Sequence, residues 1–173
     1  NSAKMGVPQA RERTFFLARR NDLNLPPLKP SFNEDQISVR EAFKGITKHG
    51  KIKQISPNLQ KFWKKVKPGD PLSKAHPKRH YFNMSVVNPN IPARTVTATQ
   101  GLIKWDEPRY LSPAEILRIQ SFPEDYNFLN SDPCYVMGMS VPPFMTQRVA
   151  LEIAKKWLSN SKTFYIPEAS DGS

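Results

Sequence analysis

Proline constrains this chain more than any other residue. There are 17 prolines among 173 residues, against 7 glycines, and each proline fixes φ at about −65° and removes a backbone donor. Helices and strands must therefore be short, open at or stop before a proline, and be joined by stiff extended segments. Two helix starts use this directly. Ser56-Pro57 places a capping serine before proline at the first helical position, and Leu59, Phe62, Trp63 and Val66 follow on one apolar face. Leu111-Ser112-Pro113-Ala114-Glu115-Ile116 adds a glutamate at the third position and a Leu111/Ile116 staple, which predicts a helix to about Ser121, stopped by Phe122-Pro123.

Other elements follow from local pattern. Arg13 to Arg20 (RTFFLARR) predicts a buried strand ending at Asn21-Asp22, and Pro26, Pro27 and Pro30 make a stiff linker after it. Ser38 and Glu41 form a capping-box pattern that predicts a short helix from about Val39 to Ile46, with Gly45 near its end. Tyr81 to Val87 and Ala93 to Thr99 read as strands around Asn88-Pro89-Asn90, the second with one polar face. A last helix begins near Pro142-Pro143 and carries Met145, Val149, Ile153 and Trp157 at helical spacing, a stripe that must pack on something. The tail after Lys162 is polar.

Charge is concentrated. Of the net +11, most lies between residues 44 and 80, where eleven basic residues face Asp70 alone. Lys61, Lys64, Lys65 and Lys67 cluster around the end of the Pro57 helix, and Phe62, Trp63, Tyr81 and Phe82 interleave the charge. Such a surface suits a polyanion, nucleic acid above all; the plainer alternative is a solvated lysine-rich face. A single cysteine, Cys134, excludes an intrachain disulfide and favours a cytosolic protein. His76 and His80 fall short of a zinc set, so no metal is expected. No apolar run reaches the roughly 20 residues needed to span a bilayer, which predicts a soluble protein with no membrane partner.

Three segments, in order, carry a resemblance. Gly6-Val7-Pro8-Gln9-Ala10-Arg11-Glu12-Arg13 resembles the eighth motif of the cytosine-5 DNA methyltransferases, Q-x-R-x-R before a strand. Arg109 to Glu115 with Gln120-Ser121-Phe122-Pro123 to Tyr126 resembles the ninth, and Gly138-Met139-Ser140-Val141-Pro142-Pro143 the tenth, with Met139 where asparagine is usual. Pro92-Ala93-Arg94-Thr95-Val96-Thr97-Ala98 looks like the threonine-plus-aliphatic element of a target-recognition loop.

The resemblance implies an α/β fold: the C-terminal piece of a Rossmann-like, S-adenosyl-methionine-dependent domain plus a small mixed recognition domain. The divisions it implies are residues 1–20 (end of the catalytic domain), 21–107 (recognition domain), 108–162 (ninth and tenth motifs with the returning helix) and 163–173 (tail). A cytosine stacked in a duplex must be flipped out before its ring is attacked. The resemblance gives Arg13 the flipped base, through its planar donor fork, with Arg11 and Gln9 supporting the pocket; alternate spacing in an extended segment puts all three on one side. It gives Gly138, Met139, Ser140 and Val141 to the cofactor, Ser140 through its hydroxyl or N–H. Arg94, Thr95, Val96 and Thr97 go to DNA with the lysines. The ninth-motif helix reads as mainly structural, since its cap and staple account for most of its residues.

The family's F-x-G-x-G cofactor loop and Glu-Asn-Val motif do not occur in this sequence. Pro133-Cys134 is not the nucleophile, because the catalytic Pro-Cys of the family precedes the eighth motif. These absences, and a start at Asn1, imply a fragment inactive by itself, whose N-terminal catalytic half stands in cis or as a separate subunit. A natural split subunit and a non-catalytic DNA-binding module are the alternatives. A recognition region this short points to a prokaryotic, cytoplasmic, nucleoid-associated enzyme of a restriction-modification system.

Overall fold

The computed structural model describes residues 1–99 and 101–159, so the tail after Lys162 lies outside the described residues. Four of its five α-helices open on a proline. These are α2 (Pro57–Trp63), α3 (Pro113–Ile119), α4 (Pro133–Met139) and α5 (Pro143–Ile153), while α1 is Val39–Ala42. Side-chain caps set most starts: the hydroxyls of Ser38, Ser56 and Ser112 accept from Glu41, Leu59 and Glu115 N–H, and the Asp132 carboxylate accepts from Tyr135 N–H. Only Ser112 and Glu115 close a reciprocal capping box. At Ser38 the expected box is half made, since Glu41 pairs with Lys44 instead, and the helix is correspondingly shorter than expected.

Strands are two residues long and pair in parallel. β1 (Gln9–Ala10) pairs with β3 (Ala93–Arg94), and β2 (Ser85–Val86) pairs with β4 (Leu102–Ile103). The two strands expected around Asn88-Pro89-Asn90 thus do not pair with each other. Both also shrink: Pro89 and Pro92 stand just before β3, and the turns around the two strands leave no longer ladder. The β1–β3 ladder joins residues placed on opposite sides of the expected boundary at residue 21.

The Arg13–Arg20 strand is absent, and Phe16 is 93% exposed. A strand lasts only where a neighbour takes its backbone groups, and among the described residues none lies alongside. The proline-rich stretch after it is extended but not a free linker. Trp157 Nε1 donates to Pro26 O (2.9 Å), Arg148 pairs with Glu34 (2.7 Å), and Phe32 packs beside Met145 and Val149.

Three apolar clusters hold the chain. One centres on α3, with Leu111, Ile116, Ile119, Met137, Val96 and Phe122. A second joins Leu59 of α2 to Ile55, Leu72, Val86, Ile103 and Tyr110. The third packs the α5 stripe, Met145 and Val149, on Met5 and Val7. At about 25 cal/mol per Å² of buried apolar area, these clusters are the main stabilising term.

Candidate functional site

The Gly6–Arg13 segment is fixed from its first residue. Gly6 has φ +71°, a left-handed conformation that favours glycine, and it lies close under the Glu34 carboxylate. Ser2 then brackets β1. Its N–H donates to Arg11 O (2.9 Å), and its hydroxyl donates to Gln9 O and accepts from Arg11 N–H (2.9 Å). Gln9 and Arg11 are held inward as a result, both buried.

Two carboxamides make a relay through this interior. Val96 N–H donates to Gln9 Oε1 (2.8 Å), Gln9 Nε2 donates to Gln120 Oε1 (2.9 Å), and Gln120 Nε2 donates to Met137 O (2.5 Å). Arg11 runs beside it, with Nη1 donating to Val96 O (2.6 Å) and Nη2 to Gly138 O (3.0 Å). Met137 and Gly138 end α4, where carbonyls lack intrahelical partners and carry the negative end of the helix dipole. A guanidinium and an amide satisfy them. Burial, and then repulsion from Arg13, push the Arg11 pKa down, yet an arginine stays charged under such pressure. Its buried Nε has no partner.

Arg13 sits elsewhere. It is exposed, its Nη1 donates to Glu12 O (2.8 Å), and it lines a cleft of about 370 Å³ with Phe15, Leu28 and Phe32. The expectation that Gln9, Arg11 and Arg13 share one side is corrected: Gln9 and Arg11 point inward and Arg13 does not, because the β1 ladder ends at Ala10.

The predicted cofactor residues are also divided. A Cβ on Gly138 would lie 2.3 Å from Thr97 O and 2.5 Å from Ala98 N, so this glycine lets α4 touch the backbone at Thr97 and Ala98. Met139 is 62% exposed. Ser140 does not have the free donors expected of it. Its N–H donates to Val136 O (3.1 Å) and its hydroxyl to Met137 O (2.9 Å), both spent on finishing α4. Val141 is half-buried against the Met5 cluster. A cleft of about 680 Å³ between Pro8, Ile37, Phe122 and Phe144 is lined by none of these four.

After β3, Arg94, Thr95 and Thr97 are exposed and Val96 is buried. The Thr95 hydroxyl donates to Ala10 O (3.1 Å), tying the loop to β1. All eleven basic residues between 44 and 80 are exposed, including Lys61, Lys64, Lys65 and Lys67 at the end of α2. Arg109, buried just ahead of α3, makes a two-pronged pair with Glu115 (2.7 and 2.8 Å) and reaches Glu107 (2.8 Å).

A family model for C-5 cytosine-specific DNA methylase matches residues 1–155. The chain belongs to that family. This methylase chain is 32% identical over 157 residues to a putative type II methyltransferase, M.MJ0563P, of Methanocaldococcus jannaschii, covering 87% of the chain and 48% of the relative. It is 28% identical over 159 residues to the type II methyltransferase M.BbvI of Brevibacillus brevis, covering 80% and 42%. The chain thus spans about half the length of the curated relatives it matches. Its fold is similar to that of a crystal structure of a putative DNA modification methyltransferase encoded within a prophage of E. coli. The TM-score is 0.69 at 16% identity, covering 90% of this chain and 58% of that one.

Two residues of the methylase chain take their place from geometry. Burial, followed by the neighbouring Asp132, pushes the Cys134 thiol up to about 11, which makes it a neutral, packed thiol near neutral pH. Gln120 is the functional residue missed as a site residue, although it opens the Gln-Ser-Phe-Pro segment. Its signal was a long polar side chain on the side of α3 that carries Ile116, a face otherwise buried.

No helix among the described residues is long and apolar enough to cross a membrane, and the described residues hold no group of three or more metal-ligating side chains.

Proposed function

We propose that this chain is the DNA-recognition and closing half of a DNA (cytosine-5-)-methyltransferase acting on a flipped cytosine in double-stranded DNA. One observation carries the reading. Gln9 and Arg11 bind the backbone at Val96 and the α4 end at Met137 and Gly138 into one buried polar hub, which supports reading the Gln9–Arg13 segment and the Arg94–Thr97 loop as parts of one working surface.

In this reading the chain's residues divide the work. Arg13, exposed beside the hub, offers its fork to the flipped base's exocyclic oxygen and a phosphate. Arg94, Thr95 and Thr97 face the duplex, and Lys61, Lys64, Lys65 and Lys67 meet phosphates. The half supplied in cis or by another subunit holds the nucleophile, the cofactor loop and the glutamate. Its sheet takes Phe15-Phe16-Leu17 as a further strand of a Rossmann-like domain, which covers Phe16. S-adenosyl-methionine supplies the methyl group when bound. Exposed Met139 fits that group as an apolar wall, and Ser140 Oγ as an acceptor. The 32% identical relative is named a type II methyltransferase, which supports a restriction-modification setting.

Arg13→Ala in the complete gene product tests the pocket. Turnover falls by a hundredfold or more, on the order of a lost transition-state contact, while duplex binding changes little, because one base contact goes among many phosphate contacts. Equal losses in binding and turnover, or no loss, place Arg13 outside the pocket.

A further inference from the structure

The loop that leads into β2 is held by stacked rings. His76 and His80 stack with centroids 4.8 Å apart and planes 11° from parallel, and His76 lies 4.9 Å from Phe62 of α2 and edge-on to Tyr81 at 5.3 Å. His76 Nδ1 accepts from Lys78 N–H (3.2 Å) and His80 N–H (3.4 Å). Arg79 and Tyr81 have φ of +54° and +64°, a left-handed backbone that residues with side chains adopt only where surroundings impose it.

What this frame presents is Phe82. Its side chain is 78% exposed and belongs to none of the ring pairs among the described residues. Lys78, Arg79 and His80 beside it are exposed, and the nearest acid in sequence, Asp70, is paired with Lys74 at 2.5 Å. An apolar ring on a rigid cationic loop is poorly placed in water and well placed on a nucleic acid, where every base offers a π-face.

Topology sets it beside the segment that leads into β4, downstream of the Arg94–Thr97 loop. β2 and β4 run parallel with Ser85 opposite Leu102, so the loops entering both strands arrive at the same edge. A Cβ on Gly101 would lie 2.5 Å from Asn83 O, which shows how closely the two loops run.

We propose that Phe82 is a specificity-determining wedge on double-stranded DNA: its ring stacks against a base step while Lys78 and Arg79 hold the flanking phosphates. Insertion of an apolar side chain beside a step favours sequences that unstack easily, so Phe82 reads deformability where the Arg94–Thr97 loop reads base edges. The proposal rests on the DNA-recognition reading above.

The test uses the complete gene product, unmodified and as Phe82→Ala, Phe82→Leu and Phe82→Trp, in selection from short duplexes with a randomised centre. The exposed position predicts unchanged melting temperatures. The unmodified protein and the tryptophan variant select the same sequence. The alanine and leucine variants bind that sequence about tenfold more weakly and lose preference at adjacent base pairs, because neither keeps a stacking face. Unchanged affinity and preference in both variants overturns the wedge and leaves the recognition reading standing. An unmodified protein that selects no sequence overturns the recognition reading, and the wedge with it.

Discussion

At the scale of single residues, the centre of this molecule is a pair of glutamines and an arginine with no carboxylate beside it. A buried amide is costly unless both its ends are matched, and here each end of Gln9 and Gln120 has a partner. Gln120→Leu keeps the volume but strands Gln9 Nε2, so we expect a loss of about 1–3 kcal/mol of stability in denaturant unfolding. An unchanged midpoint would show that the relay is incidental. The sequence made Gln9 and Arg11 legible as a pair, because a strand puts alternate residues on one side. It did not reveal that Arg13 leaves that side, since where a ladder stops depends on a partner about 80 residues away. Gly138 was legible as a motif residue, but its physical reason, the close passage of Thr97 and Ala98, exists only in three dimensions.

At the scale of elements, the helix starts at Ser56-Pro57 and Ser112-Pro113 were readable because capping is chemistry within four residues. α4 was not legible in the same way: Asp132-Pro133 carries the same kind of start, but the helix is only seven residues long and contains Gly138, a poor helix former. Around α3 the structure adds a buried ion pair to the cap. Ser112→Ala should cost about 1 kcal/mol, whereas Arg109→Ala, leaving Glu115 buried and unpaired, should cost about 3–5 kcal/mol. Thermal melts of the two variants check the order, and equal losses would contradict it. The same network predicts acid sensitivity. Hydrogen bonds from Arg109 and then Lys104 hold Glu107 down at about 2, below its ordinary 4.5. Burial pushes the Glu115 carboxyl up, but the Arg109 guanidinium and Ser112 N–H outweigh it and leave it lowered. Carboxylates depressed in the folded state stabilise it fully above their ordinary values and lose that contribution as pH falls, so stability should decline from about pH 4.5 toward 2. A clearly shallower decline across that window in Arg109→Ala than in the parent would assign the slope to this cluster; equal slopes would contradict it.

At the scale of the whole molecule, two features await a partner. One is the cationic face, and the other is the exposed Phe15-Phe16 edge. Replacing Lys61, Lys64, Lys65 and Lys67 by glutamine should lower the dependence of log affinity on log salt by roughly 0.9 for each phosphate contact removed; an unaltered slope would place α2 away from the duplex. The missing strand at Arg13–Arg20 is the clearest gap between sequence and structure. Its apolar, β-favouring residues read as a buried strand, yet a strand needs neighbours, and among the described residues none takes its backbone groups, so Phe16 stays exposed. That points to the most direct test. The chain should be purified alone and together with a chain carrying F-x-G-x-G and Pro-Cys, and each preparation assayed for transfer of labelled methyl from S-adenosyl-methionine to carbon 5 of cytosine in DNA. The account predicts no transfer by the chain alone and transfer by the combination. Transfer by the chain alone, or none by a combination that forms a stable complex on DNA, would contradict it.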